Sequence, residues 1–120
     1  MNGPLLLYFL LIHFLADFGL QTHEQATNKS SDITPKYLIY HVGVYSIIWL
    51  LASFMLFSDP WVCVLFAGIT FVCHFITDFF TSRINKSFFD KGDYHNGFVG
   101  VGFDQVLHYI QLYLTYILLK

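Results

Sequence analysis

Residues 61–80 read WVCVLFAGITFVCHFITDFF, twenty positions with one formally charged side chain, Asp78, and one histidine, His74. An apolar run of about 20 residues is the length of helix that crosses the hydrocarbon core of a bilayer. It is too long and too evenly apolar for a period-two barrel strand, so a helix must satisfy its backbone. Three more such runs flank it, 4–20, 37–57 and 98–119, of 17, 21 and 22 residues. The first is the shortest, but 21–26 can carry it on into the headgroup layer. Pro4, Pro35 and Pro60 all fall at the starts of runs, where the missing N–H costs nothing. Thr34 and Asp59 precede two of them as N-caps, and Asn96-Gly97 marks the start of the fourth. The reading is all-α: a four-helix transmembrane bundle with antiparallel up-down connectivity, with 1–120 a single integral membrane domain.

Composition supports that class. The 120 residues are 56% hydrophobic, 20% aromatic and only 12% charged, about half the charge of an ordinary soluble domain. A soluble chain this short has a high surface-to-volume ratio and needs more polar surface than that. The aromatic content excludes disorder, and a net charge of −2 gives no basic face for nucleic acid. Cys63 and Cys73 lie ten apart in one apolar run, in no metal or redox spacing, and read as reduced core thiols. The first residues lack the basic segment and small-residue cleavage site of a signal peptide, so the first span is expected to be retained.

Four spans place 21–36 and 81–97 on one side, and both termini with the 58–60 turn on the other. The first side carries Lys29, Lys36, Arg83, Lys86 and Lys91; the second carries Lys120. Positive charge favours the cytoplasm, which puts loops 21–36 and 81–97 there and both termini outside the inner, cytoplasmic membrane. The 81–97 segment, TSRINKSFFDKGDYHNG, reads as a topology signal with interfacial aromatics rather than as a lid over an anionic headgroup.

The informative residues are polar ones inside the apolar runs: His13 and Asp17 in HFLAD, His74 and Asp78 in HFITD, Asp104 and His108 in DQVLH, and His41. Each His/Asp pair is spaced i, i+4 and shares one helix face. The first and third helices run toward the cytoplasm and read His then Asp; the fourth runs away and reads Asp then His. Antiparallel packing therefore aligns the three Asp in one layer and the three His in another, with His41 near the Asp layer.

Three aspartates in membrane helices cost on the order of 8–10 kcal/mol, less at shallow depth, and no Lys or Arg lies within a span to neutralise them. Either the carboxyls are protonated or a cation binds. Carboxylates mixed with imidazoles suit a divalent transition metal (Zn²⁺, Mn²⁺ or Fe²⁺) better than all-oxygen Mg²⁺ or Ca²⁺. Seven candidate ligands, His13, Asp17, His41, His74, Asp78, Asp104 and His108, exceed one tetrahedral set and leave room for two ions. Gln21, Thr70, Ser82, Gln105 and Tyr45 stand on or beside the same faces and could orient ligands by hydrogen bonding. His23 and Glu24 read as solvated, and nothing in the spacing of Asp93 or His95 brings them to the site.

The segments HFLADFGLQT (13–22), HFITDFFTSR (74–83) and FDQVLH (103–108), in this order on hydrophobic helices, resemble a family of small bacterial and phage membrane proteins. It is known as domain of unknown function 3307 (DUF3307). His41 also matches a histidine common early in that family's second span, and the resemblance covers nearly the whole chain. The H-x-x-x-D pattern is similar to that of membrane-bound proteins classed as metal-dependent hydrolases, a distant likeness. The 81–97 segment is longer and richer in Phe and charge than the family pattern, so a shared substrate does not follow from the resemblance.

The functional expectation is a membrane-embedded metal-dependent hydrolase, its site open to the cytoplasmic leaflet, acting on a lipid-linked or amphipathic substrate such as a phosphoester. The metal would activate water and polarise a phosphoryl or acyl oxygen. His41, as ligand or general base, and Asp104, as proton acceptor, are the candidate catalytic residues. Two alternatives use the same cluster. One is a proton or cation transport or channel subunit, which requires a homo-oligomer because four spans leave a narrow pathway. The other is a non-enzymatic membrane interaction module whose metal is structural. Spacing does not separate them; an open coordination position would.

Overall fold

The computed structural model describes residues 3–19 and 36–120. The 21–35 part of the expected first loop, with Gln21, His23, Glu24, Lys29, Thr34 and Pro35, lies outside the described residues, as does Leu20 at the end of the first expected span. The described chain is all-α. Helix α1 (Gly3–Phe14) passes directly into a π-helical turn, Leu15–Gly19. Then come α2 (Lys36–Ser53), α3 (Pro60–Asp90) and α4 (Tyr94–Leu119), with no strand among the described residues.

Local chemistry sets the boundaries. The Asp59 side chain accepts the Trp61 N–H at 2.9 Å, and Pro60 stands in the first turn of α3, the arrangement expected from sequence. Helix α2 stops at Ser53, earlier than the expected 57. Phe54–Phe57 turn back through N–H bonds from Met55 to Ala52 O and from Leu56 and Phe57 to Ser53 O. That turn brings the Phe57 ring onto Phe66 and Tyr116, at 5.7 Å between centroids in each case, so burial of Phe57 competes successfully with another helical turn.

The 81–97 segment is not a loop. Helix α3 runs ten residues past the expected end at 80, and the only break before α4 is Lys91–Asp93. Gly92, at φ 76°, makes that break: its N–H bonds to Phe89 O and that of Asp93 to Phe88 O. A left-handed residue of this kind closes a helix C-terminus, and glycine adopts it without a Cβ penalty. Asp93 then caps α4 by accepting the Asn96 N–H, two to three residues ahead of the start expected at Asn96-Gly97. Hydropathy falls at 81, but a helix needs only one face to bury, and Asn85 and Gly97 provide it between α3 and α4.

The interior is layered along the bundle axis. At the end holding Gly3 and Lys120, Phe9, Trp49, Phe66 and Leu112 form the apolar core with Tyr45, Ala16 and Ala52. Above it Gln111 donates to Thr70 and Thr115. Higher still lie seven buried polar residues, and beyond them the α3–α4 hairpin projects. Helix α3 alone is about 46 Å long at 1.5 Å per residue, against a longest molecular dimension of 47 Å.

The usual polarity is inverted. His13, His41, His74, Asp78 and His108 are at most 1% exposed, whereas Leu7, Leu11, Phe14, Leu51, Phe80 and Phe103 are more than half exposed. Among the described residues one helix, Pro60–Asp90, is long and apolar enough to cross a membrane, and Gly3–Phe18 is a shorter apolar helix. Cys63 is buried and Cys73 half-buried, both as free thiols.

Candidate metal centre

The π-helical turn after α1 and helices α2, α3 and α4 each contribute to one buried cluster. From α2, His41 Nε2 lies 2.9 Å from Asp17 Oδ1 and 3.3 Å from Asp78 Oδ2. From α3, His74 Nε2 lies 3.3 Å from Asp78 Oδ2, 3.7 Å from Asp17 Oδ1 and 3.3 Å from His41 Nε2. Four donor atoms, two imidazole nitrogens and two carboxylate oxygens, thus converge, all within 4.8 Å of one another. Ligands on a tetrahedral ion with bonds of ~2.0–2.1 Å are about 3.3–3.4 Å apart. The five separations given span 2.9–3.7 Å around that value. The four residues could hold a metal ion.

A second group is formed by Asp17, Asp104 and His108. His108 Nε2 lies 3.2 Å from both Asp104 Oδ2 and Asp78 Oδ1. Its ring stacks on that of His74, 4.1 Å between centroids and 10° from parallel, and Tyr45 packs tilted against His74 at 3.9 Å. Among the described residues the Nδ1 of His74 has no hydrogen-bond partner, so the ring is oriented by this stacking and by the contacts of its Nε2 with His41 and Asp78.

His13 stands apart from both groups. Its Nδ1 lies 2.7 Å from the Tyr45 hydroxyl and its Nε2 2.6 Å from Gln105 Oε1, whereas Asp17 Oδ2 is 3.7 Å away. The corresponding i, i+4 separations on α3 and α4 are 3.3 and 3.2 Å. The difference is local: Asp17 sits in the π-helical turn, whose i→i+5 bonding widens the helix and shifts the register that an α-helix would give.

Gln105 ties His13 to the carboxylates. Its Nε2 donates to Asp17 Oδ2 and Asp104 Oδ2, each at 3.1 Å, which fixes the amide: its oxygen faces His13 and accepts the Nε2–H. His13 Nδ1 is then the acceptor for the Tyr45 hydroxyl. Thr81 donates to the other oxygen of Asp104. Sequence reading noted Tyr45 and Gln105 but missed Thr81, although it follows Asp78 by three and so shares its helix face. Thr70 bonds Gln111, below the cluster, while the Ser82 hydroxyl has no partner among the described residues. His95 is exposed in the first turn of α4, and Asp93 is consumed as a cap.

The structure therefore brings together six of the residues named from sequence and places His13 just outside them, in contact through Gln105. The family model for Protein of unknown function (DUF3307) matches residues 5–120. The chain belongs to the DUF3307 family. All seven polar residues of the cluster lie within the stretch matched to DUF3307. No curated protein and no solved structure matches the chain.

Proposed function

We propose that the chain is an integral protein of the cytoplasmic membrane that holds a divalent transition metal in its interior. With that metal it hydrolyses a lipid-linked or amphipathic substrate, a phosphoester being the best fit, from the cytoplasmic side. The observation that carries this reading is the convergence of one donor atom each from Asp17, His41, His74 and Asp78 within 4.8 Å of one another, all four buried. A bound ion of this kind polarises a phosphoryl or acyl oxygen and lowers the pKa of water toward neutrality.

The inverted polarity supports the membrane part. Soluble monomers expose contiguous apolar patches of only a few hundred Å², whereas apolar side chains face outward along α1, α2, α3 and α4 here. With Trp61 at one edge of a hydrocarbon core about 30 Å thick, Asp78 lies some 26 Å along α3, close beneath the other edge. A substrate with an acyl anchor and a polar headgroup presents its headgroup at that depth.

Access is asymmetric. Phe9, Trp49, Phe66 and Leu112 close the termini end of the bundle, which argues against a through path for protons or ions in one chain. Asp104 has the most exposed side chain of the paired acids, 11% against 6% for Asp17 and 2% for Asp78. It is the carboxylate that a substrate arriving from the hairpin side meets first. His41, deeper and aimed at two carboxylates, serves as ligand.

The test is elemental analysis of protein purified in detergent, followed by assays on phosphoester lipids with and without metal. Stoichiometric Zn, Mn or Fe, a melting temperature lowered by chelator and metal-restored hydrolysis are expected. Absence of metal with stability unchanged in chelator overturns the metal. Metal without hydrolysis of any ester tried overturns the enzyme and leaves a structural ion.

A further inference from the structure

Asp17 and Asp78 each turn their two oxygens in different directions. Asp17 presents Oδ1 to His41 and His74, while its Oδ2 lies on the side of Gln105 and Asp104. Asp78 presents Oδ2 to the same two histidines and Oδ1 to His108. Neither carboxylate is used up by the four-donor set. On the far side of both stand Asp104 Oδ2 and His108 Nε2, 3.2 Å apart.

We infer that Asp104 and His108, sharing Asp17 as a bridging carboxylate with Asp78 Oδ1 beside His108, form a second divalent-metal site, so that the centre is dinuclear. The inference rests on the metal reading above and extends it. Carboxylates with one oxygen toward each ion are suited to span a pair of metals about 3.5–4 Å apart. The imidazoles that would ligate the two ions, His74 and His108, are stacked nearly parallel at 4.1 Å, which sets their nitrogens at the same order of separation.

Charge leads to the same arrangement. Three buried carboxylates and one divalent ion leave a negative charge uncompensated in a medium where that is expensive. Two divalent ions leave one positive charge, which an anionic phosphoester would cancel on binding. The two sites also differ in completeness. Asp17, His41, His74 and Asp78 close the first, whereas among the described residues Asp104 and His108 are the terminal protein ligands of the second. A site with few protein ligands keeps a position for water or substrate, and here it is the site nearer the exposed edge of Asp104.

The experiment loads metal-stripped full-length protein in detergent with Mn²⁺ and measures bound metal and the electron paramagnetic resonance spectrum. Two Mn²⁺ per chain with an exchange-coupled spectrum are expected. Asp104→Asn and, independently, His108→Gln should each reduce this to one ion with the spectrum of an isolated centre. A maximum of one ion in the unmodified protein overturns the dinuclear centre while leaving the first site standing. Two coupled ions persisting in both variants overturn the assignment of Asp104 and His108. No bound ion at all overturns this inference together with the metal reading beneath it.

Discussion

Gln105 has one amide and three partners. Its nitrogen supplies a proton to each of two carboxylates, and its oxygen holds His13 in the tautomer that accepts from Tyr45. Partners of this kind fix ligand geometry, and their loss costs roughly 10–100-fold in metal affinity. Gln105→Leu is expected to fall in that range by competition titration with a chromophoric chelator. Thr81 offers a narrower test, because its one proton can serve either Thr77 O or Asp104, and a carboxylate is the stronger acceptor. Thr81→Val should therefore weaken the metal by about 10-fold, and Thr81→Ser should restore it. Tyr45→Phe acts further out. It leaves His13 Nδ1 buried without a donor, a loss of about 1–3 kcal/mol, expected as a lower melting temperature with bound metal unchanged.

At the scale of elements, the α3–α4 hairpin depends on close approach. A Cβ added at Gly100 would overlap the Asn85 amide, and one at Gly97 would meet the Phe89 ring at 2.7 Å. Asn85 is itself buried, so Gly100→Ala should lower the melting temperature, and Asn85→Ala in the same chain should recover part of the loss. Non-additivity of that kind identifies a direct contact. The hairpin also marks the limit of what sequence reveals. The mirrored order of HFLAD, HFITD and DQVLH was enough to assemble five of the six cluster residues, with His41 read separately from its depth, because i, i+4 spacing and antiparallel helices leave little freedom in depth. Residues 81–90 were illegible as helix because a fall in hydropathy records where an evenly apolar run ends, not where hydrogen bonding ends. The offset of His13 was illegible for another reason: a π-helical turn is a backbone event, and HFLADFG carries no residue that demands it.

At the scale of the whole molecule, charge is distributed by end as well as by depth. Lys36 opens α2, Arg83 and Lys86 lie on the projecting part of α3, and Lys91 is in the hairpin turn. These lie at the same end as Asp104, the most exposed of the three clustered acids, whereas Lys120 and the α2–α3 connection lie at the apolar end. Basic residues flanking membrane helices favour the cytoplasm, so the hairpin and the accessible edge of the site should face inward together. The prediction is read with single cysteines in a Cys63→Ala, Cys73→Ala background, since both native thiols are free. Ser58→Cys, exposed between α2 and α3, should react with a membrane-impermeant maleimide on intact cells. Lys91→Cys, exposed in the hairpin turn, should react only after permeabilisation. The reverse pattern would put the mouth of the site outside the cytoplasm and overturn the proposal of a substrate drawn from the cytoplasmic leaflet. The metal centre would stand in either orientation, because its ligands are fixed by helix packing and not by the direction in which the bundle is inserted.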